Sequence, residues 1–119
     1  MEVVTHSELK AVALDPTDKV STLQDALDVI AAAWHENCSC VIIPKESLPE
    51  AFFDLKTGFA GEILQKYTNY QIKLAIIGDF SSFTSKSLKD FMYESNKGRQ
   101  IYFTADIPTA MEAMKKALD

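Results

Sequence analysis

Residues 73–92 read KLAIIGDFSSFTSKSLKDFM, and this stretch decides the class of fold. Leu74, Ala75, Ile76 and Ile77 are continuously apolar, so Lys73 to Phe80 reads as a strand buried on both faces, with Gly78-Asp79 marking its exit. Ser81 to Ser85 then offer several N-caps for a helix bearing Leu88, Phe91 and Met92. Gly98 reads as the left-handed C-cap of that helix. A doubly buried strand running straight into a helix is the repeating unit of a parallel sheet.

The same grammar extends in both directions. Upstream, Phe59, Ile63, Leu64 and Tyr67 keep helical spacing from Gly58 to Asn69-Tyr70, and KESLPEAFFDLKTG before them reads as a loop or a single turn. Cys38 to Ile43 is a second buried strand closed by Pro44. Ahead of it Ser21 or Thr22 caps a helix whose apolar stripe is Leu23, Ala26, Leu27, Ile30, Ala33 and Trp34. MEVVTHSE and LKAVALD suggest two short strands, and Asp15-Pro16-Thr17-Asp18 breaks the second as a turn. Downstream, Gln100 to Ala105 is the last strand and Asp106 caps a final helix in which Pro108 is tolerated in the first turn. The order β-β-α-β-α-β-α-β-α predicts a single α/β domain over residues 1–119, a mostly parallel sheet covered by helices. Leu64, Ile76 and Phe91 are expected in its core.

Composition narrows the functions. The 119 residues carry 12 Lys and Arg against 17 Asp and Glu, a net charge of −5, with 47% hydrophobic residues. A chain of this size buries enough surface to fold without disulfides or metals. Nucleic acid is not an expected partner, because no basic stripe exists to meet a polyanion. No run approaches the roughly 20 apolar residues a membrane span needs, and MEVVTHSELK lacks the layout of a signal peptide, so neither a membrane association nor export is expected and a cytoplasmic location follows. Cys38 and Cys40 sit two apart and should share one strand face as buried thiols, while His6 and His35 offer no spacing that completes a zinc site. No metal and no cofactor are expected.

Ligands of open α/β sheets gather beyond the carboxyl ends of the strands. One such place is GDFSSFTSKS, where Asp79, Ser81, Ser82, Thr84, Ser85 and Lys86 crowd the mouth of a helix. The simpler reading is a capping loop, and the second is a cradle for a small anion, since hydroxyls and free N–H groups meet there. Neither nucleotide-loop signature, G-x-x-x-x-G-K-[ST] or G-x-G-x-x-G, occurs. Lys56-Thr57-Gly58 is another candidate: Thr57 suits an N-cap, Gly58 permits close backbone approach and Lys56 can steady an anion, although a plain helix start explains all three. Phe52-Phe53 and Phe80 with Phe83 set four rings on neighbouring loops, where they either plug the end of the sheet or meet a protein partner. Asp54 and Asp79 read as turn residues. No nucleophile, base and orienting group can be assembled, so no catalytic residue is assigned.

The stretch FFDLKTGFAGEILQKYTNYQIKLAIIGDFSSFTSKSLKDFMYESNKGRQIYF, with FFDLKTG and TSKSL as its most specific strings, closely resembles the bacterial domain-of-unknown-function family 4180. The likeness runs from about Leu9 to Leu118, and the family supplies no established activity. More distantly, the element order is similar to the STAS domains of sulfate transporters and bacterial anti-sigma-factor antagonists. In the antagonists a D-S-S-G segment opens the second helix and carries the serine that a partner kinase phosphorylates. The resemblance places Leu55-Lys56-Thr57-Gly58 there, with Thr57 as phosphoacceptor, Lys56 in place of the first serine and the aspartate displaced to Asp54. The leading expectation is therefore a STAS-like regulatory or interaction domain with its contact surface around Thr57, Phe53, Phe83 and Ser81 to Lys86. A sensor of an anionic metabolite or nucleotide comes second, and an enzyme third.

Overall fold

A computed structural model describes residues 1–118. Five strands, β1 (Glu2–His6), β2 (Leu9–Ala13), β3 (Cys40–Pro44), β4 (Lys73–Ile77) and β5 (Ile101–Thr104), form one sheet in the order β1-β2-β3-β4-β5. β1 runs antiparallel to β2 and every other pair is parallel. The helices are α1 (Leu23–His35), the single turn α2 (Glu50–Phe53), α3 (Phe59–Asn69), α4 (Lys86–Lys97) and α5 (Ile107–Leu118). The predicted single α/β domain is thus observed, with β4 and β5 shorter at their ends than the apolar runs suggested.

Because each parallel strand is laid beside the one before it, right-handed crossovers put every connecting helix on the same side. Val12, Val41, Ile43, Leu74, Ile76, Ile101 and Phe103 bury that face against α1, α3 and α4. The opposite face, built from Leu9, Ala11, Ala13, Cys40, Ile42, Ala75 and Tyr102, is closed by Ala110, Met111 and Met114 of α5. A sheet that never reverses its winding direction has no switch point between strands, so any crevice must be built by the loops.

Several expectations need correction. Cys38 and Cys40 are both buried free thiols, but they lie on opposite faces of the sheet. The cause is the end of α1, where Asn37 takes φ +57°, its N–H reaches Trp34 O at 3.0 Å and the N–H of Cys38 reaches Ala33 O at 2.8 Å. This Schellman turn folds the residue after the left-handed one back onto its own helix, which carries Cys38 to the three-helix side before β3 begins. Trp34 is not part of the buried stripe: it is 54% exposed, and its ring meets Tyr70 edge-on at 5.1 Å, while Ala33 takes the inward position. Leu64 and Phe91 only lean on the core, and the buried positions of α3 are Ala60, Ile63 and Tyr67. Gly98 is extended, with φ −87° and ψ −163°, and is no left-handed cap.

The Thr22 capping box is present, with Thr22 Oγ1 accepting from Asp25 N at 3.1 Å and the Asp25 carboxylate accepting from Thr22 N at 3.1 Å. α3 ends as α1 does, with Gln71 at φ +58° and the N–H of Ile72 bonded to Tyr67 O at 3.0 Å. Glutamine has no side-chain bond that rewards this conformation, unlike asparagine. Gln71→Gly should therefore stabilise the fold by about 1 kcal/mol, raising the midpoint of a thermal unfolding scan by about 4 °C. An unchanged or lower midpoint would show that the left-handed turn carries no strain.

A candidate binding cleft at the carboxyl edge of the sheet

Two loops leave the carboxyl ends of β3 and β4 and meet. After β3 the chain makes a 3₁₀ turn over Lys45–Ser47, passes Pro49 into α2, and makes a second 3₁₀ turn over Leu55–Thr57 before α3. Ser47 is buried, and its hydroxyl donates to Asp15 O at 3.2 Å, pinning this loop to the turn after β2. Asp54 caps the second turn by accepting from Lys56 N at 3.3 Å. Gly58, at φ +77°, holds the cap position of α3, so Thr57 stands one residue earlier than an N-cap. Its Oγ1 lies 2.6 Å from Ala51 O and 2.9 Å from Asp54 O as donor, and accepts from Phe59 N at 3.2 Å. One hydroxyl thereby ties α2 to the start of α3.

At the exit of β4, Gly78 has φ +149°, and a Cβ there would lie 3.0 Å from Lys45 Cβ. The bare glycine lets the Lys45 stem cross the strand end, and the ammonium donates to Asp79 O at 2.6 Å while standing 5.6 Å from the Phe83 ring centre. Bonds from the Ser81 hydroxyl and backbone N–H hold the Asp79 carboxyl below its ordinary range, with Lys45 adding to the effect. Ser85 is the N-cap of α4, accepting from Leu88 N at 3.2 Å. Lys86 turns along its own helix to Asp90 at 2.7 Å.

All seven phenylalanines of the chain join one network. Phe59, Phe52 and Phe53 follow one another edge-on. Phe53 stacks on Phe83 at 4.8 Å and 22°, and Phe80, Phe103 and Phe91 continue the line. Phe52 and Phe103 are buried, while Phe53, Phe80 and Phe83 are half-buried. These rings plug the sheet end, and two of them, Phe53 and Phe83, also floor an open cleft of about 530 Å³ between α2 and the β4–α4 loop. Of the candidates named from the sequence, Phe53, Phe83, Ser82, Thr84 and Ser85 line it together. Lys56, Thr57 and Gly58 lie outside its lining, as do Asp79, Ser81 and Lys86. Lys45, Leu48, Glu50 and Leu88 line it without having been anticipated. Lys45 alone left a trace, as the first residue after a strand-ending proline.

A second cavity of about 600 Å³ lies on the α5 side of the same edge, among Leu14, Asp15, Pro44, Glu46, Ile77 and Ile107. No group of three or more His, Cys, Asp or Glu side chains able to hold a metal ion occurs among the described residues. No helix there is long and apolar enough to cross a membrane.

Fold and cleft together define a single α/β domain with loops that build a surface cleft at the strand ends. Residues 6–114 match the family model described as Domain of unknown function (DUF4180), and the chain belongs to that family. No curated protein and no solved structure matches.

Proposed function

We propose that the domain is a cytoplasmic regulatory or protein-interaction module, STAS-like in its element order, that holds a segment of a partner protein in the cleft between α2 and the β4–α4 loop. The observation that carries this reading is the Phe53–Phe83 stack, half-buried on the floor of an open cleft with the Ser82 and Thr84 hydroxyls along its lining. Rings and hydroxyls side by side suit a polypeptide, which offers apolar side chains and backbone amides at once. An anionic metabolite, the alternative occupant, fits less well. Lys45 is the one cation among the lining residues and its ammonium already serves Asp79 O, while Glu50 and Asp54 stand on the same lining.

Thr57 supplies a means of control in this reading. The resemblance to the antagonists puts a phosphoacceptor at this position, and the residue is exposed. Phosphorylation removes the hydroxyl hydrogen, so the ties to Ala51 O and Asp54 O are lost and the turn bearing Phe53 is released, while Lys56 sits beside the new charge.

A photo-crosslinking side chain placed at Ser82, used in the native host, identifies the partner, which is then titrated in purified form. Wild type and Thr57→Ser should bind equally. Phe83→Ala and Thr57→Glu should each weaken binding at least tenfold, about 1.4 kcal/mol. Equal affinity for all four proteins would sink the reading. A thermal shift by an anion that vanishes in a Ser82→Ala, Thr84→Ala double variant would put the sensor in its place.

A further inference from the structure

The two edges of the sheet are treated differently. On β5 the Asn96 side chain covers the free edge, its amide donating to Phe103 O at 3.1 Å and accepting from Phe103 N at 2.7 Å, as a neighbouring strand would. β1, at the other edge, has no such cover. Lys10 O bonds to β3 through Ser39 N, and Leu14 N bonds to Ile42 O, so the even-numbered residues of β2 face β3. The odd ones face β1, and with the register Glu2↔Ala13, Val4↔Ala11 and His6↔Leu9 this turns the N–H and C=O groups of Val3 and Thr5 outward. Those outward groups have no hydrogen-bond partner among the described residues, and Val3 is 39% exposed. An uncovered edge of this kind is a template for another strand.

We infer that β1 pairs with β1 of a second copy of this chain, antiparallel about a two-fold axis at Val4, joining two sheets into one of ten strands. The sequence EVVTH is complementary to its own reversal. In this register Val3 exchanges hydrogen bonds with Thr5 of the second copy, Val4 faces Val4, and Glu2 stands opposite His6, whose ring also meets Glu112 of its own chain at 3.1 Å, on each side. The register shifted one pair toward the turn would need Ser7 and Glu8 to extend the ladder, but these two form the hairpin turn, with Ser7 at φ +58°. The shift the other way sets Thr5 against Met1, outside β1, and gives His6 no facing residue of that strand. Only the centred pairing uses all five residues of β1, and with Glu2 set against His6 at both ends the occupant it fits is this strand itself, not an arbitrary extended peptide. The symmetry closes the assembly at two chains.

Light scattering or sedimentation at increasing concentration should give the mass of two chains for the wild type. Val3→Pro removes an outward N–H that β2 does not use, so the fold is kept, as circular dichroism would check, while the dimer dissociation constant rises at least tenfold. Val4→Cys supplies the register: residues facing across the axis in a non-hydrogen-bonded pair are close enough for a disulfide, so mild oxidation should link the two chains. Thr5→Cys, which would face Val3, should link poorly by comparison. A one-chain mass up to about 1 mM, a dimer indifferent to Val3→Pro, or equal linking of the two cysteine variants would each overturn the inference.

Discussion

Ile76→Ala is expected to remove about 4 kcal/mol from the unfolding free energy, a large share of what a small domain possesses. Ile76 is fully buried in β4, flanked by Ile43 on β3 and Phe103 on β5, and its side faces the three packed helices. The neighbouring strands are fixed on both sides, so the cavity left by truncation has little room to collapse. Leu64→Ala and Phe91→Ala should cost less, about 1–2 kcal/mol each, because part of each side chain already faces water. Urea unfolding of the three variants, with equal slopes, reads the contrast directly. If Leu64→Ala proves as costly as Ile76→Ala, then Ile63 and Tyr67 are not the inward face of α3.

The second large effect concerns Tyr67, which is fully buried and donates its hydroxyl to Ala26 O at 3.3 Å, joining α3 to α1. Tyr67→Ala should cost about 3–5 kcal/mol through the lost ring, whereas Tyr67→Phe should cost about 1 kcal/mol through the lost hydrogen bond. Burial pushes the Tyr67 ionisation well above that of a free tyrosine. The folded protein therefore keeps a proton that the unfolded chain gives up, and stability held below about pH 10 falls as pH rises further, by about 1.4 kcal/mol per pH unit from this group. Tyr67→Phe lacks that component. Above pH 10 the gap between the two proteins should narrow and then reverse, as followed by denaturant midpoints across alkaline pH. A gap that stays constant would mean that Tyr67 ionises as freely in the fold as outside it.

Much of the architecture was legible because it rests on local chemistry. Val41 to Ile43 and Leu74 to Ile77 read as doubly buried strands, as they are except at the half-buried Ile77, and Thr22 with Asp25 announces a helix start before any packing is known. The errors share a different origin. Trp34 and Ala33 both fit a 3.6-residue stripe, but neighbouring side chains point about 100° apart on a helix, and it is Ala33 that packs into the core while the indole meets Tyr70. Cys38 obeys the end of α1 and not the alternation of β3, a decision taken by Asn37, whose left-handed conformation no apolar pattern encodes. In the cleft, Phe53 and Phe83 were visible as rings on adjacent loops. Lys45 left only its position after Pro44, because its place depends on a missing Cβ at Gly78, 33 residues further along the chain.

The division of labour between the two faces also bears on how the protein is made. Three helices share the burial of one face, and each lies between two strands in the chain, so that side can be covered piece by piece as the sheet forms. The other face waits for α5 alone. Without that helix docked, Ala11, Ala13, Cys40, Ile42, Ala75 and Tyr102 would form a continuous oily plane on an otherwise complete sheet. A chain cut just after β5 would present that sheet with one bare side, the form of this protein most prone to aggregate.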